Sequence, residues 1–112
     1  MLVLTAAEIR RDEVHVLEVD GALVGWHRVS LHDDHGELED LWVEPAFIGA
    51  GWGRRLFEHA ADVARAHGAS ALEWDAEPFA QAFYERMGGV EIGRTPSAAE
   101  EGRTLPRMRL VL

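Results

Sequence analysis

Three glycines at alternate positions, Gly49, Gly51 and Gly53, are the clearest chemical signal in this sequence. They stand between a predicted strand that ends at Val43 and a predicted helix that follows them. Glycine permits a positive φ and lets another group come close to the backbone. The free amide N–H groups at the start of a helix, together with the helix dipole, attract anionic phosphates. The strand, the turn and the helix therefore predict a binding site for a pyrophosphate.

Two other kinds of phosphate loop do not match this turn. A Walker loop ends in Gly-Lys-Ser/Thr, whereas Gly53 is followed by Arg54 and Arg55. A dinucleotide fingerprint needs a third glycine three positions after the second, where this sequence has Arg54. The remaining alternative is a glycine-rich connection that binds nothing. We favour the pyrophosphate site because a strand precedes the turn and a helix follows it.

Two glutamates on a predicted strand are candidates for proton transfer. Glu37 and Glu39 lie two residues apart, so both should point to one face of the strand, with Asp40 on the other. A carboxylate there could accept a proton or bind a cationic substrate. Either side chain could equally be a solvated strand residue, as is common in antiparallel sheets.

Three histidines, His27, His32 and His35, together with two neighbouring aspartates, have the residue types of a metal site. His32 and His35 fall in a predicted polar turn, where such spacing arises by chance. The absence of cysteine excludes a disulfide, a thiolate nucleophile and a cysteine-ligated zinc. We therefore predict that the protein binds no metal.

The pattern of apolar residues predicts the elements that position these groups. Residues 1–12 are ambiguous, and we expect them to be weakly helical or irregular, while residues 93–104 resemble a loop. Period-two alternation and short apolar runs predict strands at 13–19, 22–31, 37–43, 70–74, 90–92 and 105–112, with a hairpin turn at Asp20-Gly21. Helical spacing predicts helices from about Gly51 to Gly68 and from Pro78 to about Met87.

This order, β-β-β-α-β-α-β-β, predicts a single domain over residues 1–112. A strand–helix–strand step follows an antiparallel meander, so the sheet should be mixed and mainly antiparallel, with helices packed on it. The predicted fold class is therefore α/β (α+β).

Two segments resemble the GCN5-related N-acetyltransferase (GNAT) family. That family has the signature Arg/Gln-x-x-Gly-x-Gly/Ala at a strand–loop–helix junction, and the matching residues here are Ile48-Gly49-Ala50-Gly51-Trp52-Gly53. The preceding LEDLWVEP (38–45) is similar to the strand before that loop. Residues 79–88, FAQAFYERMG, resemble the family's Ala-x-x-Phe-Tyr-Glu-Arg/Lys-x-Gly segment. With the spacing between them, these blocks extend the resemblance over roughly residues 13–112.

The chain also departs from the family pattern. Ile48 replaces the leading Arg or Gln of the signature, and Phe79 replaces an Asn that often precedes the second block. Only about 12 residues precede the first clear strand, where the family usually has a strand and two helices that cover the acceptor site. The acceptor pocket should then be open or completed by a second chain, so a homodimer is one expectation.

The resemblance implies that acetyl-CoA binds along the third predicted strand and over the glycine turn. The backbone of that strand would pair with the pantetheine arm like an extra strand, and the amides of the turn would bind the pyrophosphate. Arg86 could reach a cofactor phosphate or be solvated. The residues implied to contact the cofactor are Leu41, Trp42, Val43, Ile48, Gly49, Ala50, Gly51, Trp52, Gly53, Arg54 and Arg86.

The activity implied by the resemblance is acetyl transfer from acetyl-CoA to a primary amine, by direct attack in a ternary complex. Tyr84, the one tyrosine of the chain, would stand near the cofactor sulfur, and its ordinary pKa of about 10 suits it to protonate a thiolate. Glu39 stands where some polyamine-acetylating relatives have a base. Glu37 is the second candidate for the base, and a water molecule could also accept the proton of the amine.

Composition limits the partners. The net charge is −9, with 20 acidic residues and 11 basic ones that are all arginine, which argues against nucleic acid and is compatible with a cationic substrate. No apolar run approaches the ~18 residues of a membrane span, and the N-terminus lacks a signal pattern. We therefore expect a cytoplasmic protein that binds neither membranes nor nucleic acid.

Two other interpretations stay open at this point. A non-catalytic acyl-CoA-binding or regulatory module would keep the same fold without turnover, and a structural partner subunit would bind no acetyl-CoA at all. The acceptor also stays open, since a small amine, an amino acid, an antibiotic and a protein N-terminus are all compatible with these residues.

Overall fold

The computed structural model describes residues 2–9 and 12–112 of the chain. Its elements follow one another as four strands, a helix, a strand, a second helix and two strands. The strands are β1 (Leu2–Ile9), β2 (Asp12–Val19), β3 (Ala22–Leu31), β4 (Gly36–Val43), β5 (Ala71–Asp75), β6 (Val90–Pro96) and β7 (Thr104–Val111). The helices are α1 (Trp52–Ala66) and α2 (Gln81–Arg86), and short 3-10 turns span Pro45–Phe47 and Pro78–Ala80.

The seven described strands form one mixed sheet in the order β1-β2-β3-β4-β5-β7-β6. Every neighbouring pair is antiparallel except β4 and β5, which are parallel. Parallel neighbours cannot be joined by a tight hairpin, and α1 lies in the crossover between them. The predicted fold class and the mainly antiparallel sheet are therefore confirmed.

The start of the chain differs from the sequence-based prediction. Residues 2–9 form a strand, β1, whose register with β2 runs from Leu2 opposite Val19 to Ile9 opposite Asp12. The expectation of a weakly helical or irregular segment was wrong for these residues, and residues 1, 10 and 11 lie outside the described part. The segment is too short to show a clear period. Its strand conformation is stabilised by backbone pairing with the edge of β2, which no local pattern reveals.

Helix α1 forms where the sequence predicts it. Its buried residues are Leu56, Phe57, Ala60, Ala61, Val63 and Ala64, and they recur at helical spacing along one stripe. At the C-terminus, Gly68 has φ +82, its amide donates to the carbonyl of Arg65, and the amide of Ala69 donates to that of Ala64. This is a Schellman motif, so Gly68 ends the helix as expected.

Two other boundaries shift from the predicted ones. Strand β6 continues to Pro96 because Arg94 and Thr95 pair with β7, so the predicted loop begins later than residue 93. The second predicted helix is divided into a 3-10 turn and α2, which ends at Arg86. The hairpin turn is as predicted, with positive φ at both Asp20 and Gly21, as a type I′ turn requires.

The main core lies between α1 and the centre of the sheet. Phe57 packs edge-to-face against Trp74 of β5, with ring centroids 5.2 Å apart, and Tyr84 of α2 lies 5.0 Å from the same indole. These contacts hold the short helix α2 against the end of β5.

In the described part of the chain, no helix is long and apolar enough to cross a membrane.

Candidate active site

A cleft opens where β4 and β5 separate. The two strands pair only at Gly36 with Leu72 and at Glu37 with Glu73, although β4 continues to Val43 and β5 to Asp75. The edge of β4 that faces β5 therefore carries backbone groups without a strand partner beyond Glu37. A cavity of about 350 Å³ lies here, lined by Leu38, Glu39, Asp40, Leu41, Trp74, Asp75, Glu77, Phe79, Ala80 and Tyr84.

Glu39 occupies a β-bulge in the wall of this cleft. Arg28 of β3 pairs with Asp40, but the next residue, Val29, pairs with Leu38, so Glu39 is an extra residue without a partner on β3. A bulge bends its strand and re-aims the side chains around it. The bulge therefore sets the direction of β4 where it leaves β5 and exposes Glu39 on the cleft.

The bulge also corrects the predicted orientation of Asp40. Asp40 pairs with Arg28 and Glu37 pairs with Ser30, and these partners are two residues apart on β3, so both carboxylates share one face. The Asp40 carboxylate accepts a hydrogen bond from Arg28 Nε at 2.8 Å. The prediction that Asp40 faces away from Glu37 was wrong because strict alternation fails across the bulge.

Glu39 and Tyr84 stand on the walls of the same cavity, one from β4 and one from α2. Ser30 donates a hydrogen bond from its hydroxyl to Glu39 Oε2 at 2.6 Å, which leaves the other carboxylate oxygen available. Burial raises the pKa of Tyr84 to about 12, above the ordinary value of about 10 assumed from the sequence. The phenol is therefore a weaker acid than a solvated tyrosine, and no described residue hydrogen-bonds its hydroxyl.

Glu37 has a different environment, outside the residues that line the cleft. Arg107 of β7 donates from Nη1 and Nη2 to its two oxygens, at 2.5 and 2.6 Å, and also contacts Glu73 and Asp75. The hydrogen bonds that Arg107 donates to the Glu37 carboxylate raise the pKa of Arg107 further above its usual range. Sequence reasoning missed Arg107 because it lies 70 residues away and belongs to a strand with no motif.

The glycine turn has an open backbone. Gly49 and Gly51 have φ of +90° and +86°, and a Cβ added to either would meet no heavy atom within 4 Å. The first backbone hydrogen bond of α1 is donated by Arg55 to the carbonyl of Gly51. The amides of Trp52, Gly53 and Arg54 thus have no partner within the helix, and no other described backbone carbonyl accepts from them.

A second cavity, of about 330 Å³, lies over this turn. It is lined by Val43, Ile48, Gly49, Gly51, Gly53, Arg54 and Phe83. The end of β4 and helix α2 thus contribute to both cavities, because Val43 follows Leu41 on the strand and Phe83 precedes Tyr84 on the helix. Ile48, where the signature has Arg or Gln, is 69% exposed and presents an apolar side chain to this space.

The remaining predicted cofactor residues divide between the cleft and its surroundings. Trp42 is exposed and its ring packs on Trp26, with centroids 5.8 Å apart, and Ala50 is exposed in the turn. Trp52 packs against a second core cluster formed by Leu17, Val24 and Leu56, and the guanidinium of Arg55 lies over its ring. Trp42 and Trp52 therefore do not line either cavity with their side chains.

Arg54 and Arg86 both line a third cavity, of about 450 Å³, on the side of α1 that faces α2. Arg54 also borders the cavity over the glycine turn and forms an ion pair with Glu58 at 3.6 Å. Arg86 does not border that cavity. Arg54 is thus the cation that lies next to the open amides, and Arg86 lies beyond it.

The match to known families agrees with this geometry. A family model described as the acetyltransferase (GNAT) family matches residues 3–89, which include the bulged strand, the glycine turn and Tyr84. This chain belongs to the GNAT family. The resemblance noted in the sequence is therefore confirmed, whereas a search of curated proteins finds no match for this GNAT chain.

Solved acetyltransferases share the fold of this GNAT chain. Nourseothricin acetyltransferase superposes with a TM-score of 0.82 at 22% identity, over 98% of this chain and 84% of its own. A Bacillus subtilis acetyltransferase in complex with CoA has a TM-score of 0.84 at 14% identity, over 100% and 99%. A Bacillus anthracis str. Ames protein in complex with acetyl coenzyme A has a TM-score of 0.82 at 16% identity, over 94% and 65%.

Proposed function

We propose that this GNAT domain transfers an acetyl group from acetyl-CoA to a primary amine. The observation that carries the proposal is the cleft between β4 and β5, because it brings a free strand edge, Glu39 and Tyr84 to one cavity. The glycine turn, with its open amides, lies at the end of the same strand. These features together fit a long ligand that carries a diphosphate at one end and a reactive thioester at the other.

The binding of acetyl-CoA would use two kinds of backbone contact. The free edge of β4 beyond Glu37, including residues 41–43, can pair with the amides of a pantetheine arm in the way that an added strand pairs with a sheet. The unpaired amides of Trp52, Gly53 and Arg54 can donate to the diphosphate at the helix N-terminus. Val43, Ile48 and Phe83 offer apolar contact between them.

The chemistry needs a neutral amine, an acceptor for its proton and a proton for the leaving thiolate. The amine nitrogen attacks the thioester carbonyl, the C–N bond forms, and the C–S bond breaks to release CoA. Glu39, oriented by Ser30, takes the amine proton directly or through water. Tyr84 donates a hydrogen bond from its neutral phenol to the leaving thiolate, which takes its proton from water, because the raised pKa of about 12 makes full proton transfer from this phenol less favourable than at the ordinary value.

Glu39 is a better candidate for the base than Glu37. Both oxygens of Glu37 are engaged by Arg107, so proton uptake there would weaken an ion pair, and Glu37 does not border the cleft. Glu39 lies on the cleft together with Asp40, Asp75 and Glu77. Asp40, Asp75 and Glu77 are each ion-paired with an arginine, so it is the net charge of the chain, −9, that is compatible with a cationic acceptor.

The experiment that tests the activity measures release of free CoA from acetyl-CoA with a panel of amines that includes diamines, amino acids, aminoglycosides and peptide N-termini. We expect turnover with at least one cationic amine and none with the Glu39→Gln and Tyr84→Phe double variant.

A second candidate function is a non-catalytic acyl-CoA-binding module, which Ile48 favours because it removes the polar side chain of the signature. Binding of acetyl-CoA by calorimetry without turnover for any amine would establish that alternative.

A homodimer and a cytoplasmic location belong to the same proposal. The dimer follows from the open cleft, which a second copy could cover, and sedimentation equilibrium of the purified chain measures it. A monomer at micromolar concentration would show that the acceptor site needs no second chain.

A further inference from the structure

Three histidines from three different elements meet between the sheet and α1. His15 of β2 lies directly opposite His27 of β3, and His59 of α1 lies over both. The ring centroids are 5.1 Å apart for His15 and His27, 4.7 Å for His15 and His59, and 5.1 Å for His27 and His59. None of these side chains, called here the histidine cluster, borders the cleft.

The spacing of the histidine cluster fits a single metal ion. With a Zn–N bond of about 2.1 Å and a nitrogen about 1.1 Å from its ring centre, three imidazoles on a tetrahedral ion have centroids about 5.2 Å apart. The observed triangle is close to this on every side. One potential ligand nitrogen from each ring lies within 4.8 Å of the others. Small side-chain rotations, of about 1 Å at the nitrogens, would bring them to the roughly 3.4 Å separation of a tetrahedral site.

The hydrogen bonding of the cluster is incomplete in the described part of the chain. His27 is fully buried and His15 is nearly so, and the Nδ1 atoms of both have no partner. The one hydrogen bond within the cluster joins His27 Nε2 and His59 Nδ1 at 2.8 Å. A buried polar atom without a partner destabilises the folded state, so a packed core of this kind needs a compensating interaction. Coordination of an ion by the cluster would provide one.

The surroundings also suit a cation. Glu13 and Asp62 lie near enough to interact electrostatically with rings of the cluster. Glu13 Oε1 also lies 2.8 Å from His67 Nε2, which holds the Glu13 carboxylate at the edge of the histidine cluster. From there its negative charge can partly compensate the positive charge of a bound ion. His59 is only half-buried, which gives an ion a path from solvent.

We propose that His15, His27 and His59 bind one divalent transition-metal ion, zinc by preference, with water in the fourth position. Imidazole nitrogen is a ligand for Zn²⁺, Ni²⁺, Cu²⁺ and Co²⁺, and Zn²⁺ accepts a tetrahedral site without redox chemistry. The ion would tie α1 to β2 and β3 and so support the helix whose N-terminus forms the glycine turn. The role is structural and is independent of acetyl transfer.

This proposal departs from the expectation that the chain binds no metal. That expectation considered His27 with His32 and His35, but the structure separates these residues. His32 and His35 stack on each other, with centroids 4.9 Å apart, in the connection between β3 and β4. The histidines that gather come from positions 12 and 32 residues apart, a spacing that matches no local metal motif.

The test uses the full chain without a histidine tag, stripped with a chelator and titrated with zinc chloride in a calorimeter. Cobalt(II) serves as a second probe, because tetrahedral cobalt has intense visible absorption bands. We expect one ion per chain and tetrahedral cobalt bands in the natural sequence. The His59→Gln variant, at the half-exposed ligand, should lose affinity about 100-fold or more and lose the bands. The matched control His32→Gln should retain both.

Thermal unfolding with and without zinc gives a readout that needs no activity. Zinc should raise the midpoint of the natural chain and of His32→Gln, but not that of His59→Gln, because binding to the native state stabilises it. His15→Gln serves as a further ligand variant if His59→Gln does not fold. The proposal is overturned if no saturable binding occurs, or if His59→Gln binds zinc as tightly as His32→Gln, which would indicate surface histidines.

Discussion

Replacement of Gly51 by alanine tests whether the glycine turn holds the diphosphate of CoA. The chain offers a closely matched control in Gly68, at the opposite end of α1. Gly51 has φ +86 and Gly68 has φ +82, and an added Cβ would meet no heavy atom within 4 Å at either position. The two substitutions therefore impose the same kind of backbone strain and no steric overlap within the protein. They differ only in whether the new methyl group lies at the open amides.

The expected loss of stability is the same for both variants. A non-glycine residue in the left-handed region costs about 1–2 kcal/mol. For a domain of this size, each kcal/mol lowers the midpoint of thermal unfolding by about 4–8 °C, so we expect each variant to unfold about 5–15 °C lower than the natural chain. Differential scanning calorimetry measures this directly, and binding is then assayed well below both midpoints.

The expected effects on binding are different. In Gly51→Ala the methyl group lies beside the unpaired amides of Trp52, Gly53 and Arg54, and it should hold a diphosphate away from them. A loss of one charge-assisted hydrogen bond, about 1.5–3 kcal/mol, corresponds to roughly a tenfold to hundredfold weaker Kd for CoA. Gly68→Ala should bind CoA like the natural chain. Gly51→Asp should be weaker than Gly51→Ala because its carboxylate repels the phosphates.

Isothermal titration calorimetry measures the Kd for CoA, and pantetheine, which lacks the diphosphate, provides a second ligand. Pantetheine should bind Gly51→Ala and the natural chain equally. Equal CoA affinity in Gly51→Ala and Gly68→Ala, with both folded, would refute the assignment of the diphosphate to this turn. A loss of pantetheine binding in Gly51→Ala would instead show that the substitution acts through the strand edge.

Three further predictions concern the cleft and the pairing of β3 with β4. Glu39→Gln should lower kcat by about 10²-fold to 10³-fold with little change in the KM for acetyl-CoA, whereas Glu37→Gln should retain most of kcat; comparable losses in the two would contradict the assignment of the base. Absorbance titration of Tyr84, the one tyrosine, should give a pKa of about 12 in the folded chain and about 10 in guanidinium. Because the pKa of Tyr84 is higher in the folded chain than in the unfolded chain, the neutral phenol makes its whole contribution to the free energy of unfolding below pH 10, and this contribution is lost as the pH rises towards 12. A titration with an unshifted pKa would show that the phenol is solvated. Gly25→Ala should lower the free energy of unfolding by about 3 kcal/mol and the unfolding midpoint by about 10 °C or more, because its Cβ would overlap the carbonyl oxygen of Trp42. A drop of less than about 2 °C would mean that β4 can move away from β3 at this point.

Several features of the site were predictable because they are local in sequence. The glycine turn is recognisable from residues 48–53, since its φ values and its open amides depend on the absence of side chains within six positions. The apolar stripe of α1 and its glycine stop follow in the same way from a period of 3.6 and a C-terminal motif. The Asp20-Gly21 turn is set by two adjacent residues. Each of these depends on interactions within one or two helical turns of chain.

The tertiary structure decided the features that depend on register between distant strands. The bulge at Glu39 arises because β3 and β4 slip by one residue, and it moves Asp40 to a face that alternation does not predict. The contact of Glu37 with Arg107, the pairing of β1 with β2 and the meeting of His15, His27 and His59 join segments that no local pattern relates. Backbone pairing and core packing set the strand register and these side-chain contacts jointly for the whole sheet. The sequence alone determined the local features, which are the two turns and the extent of helix α1.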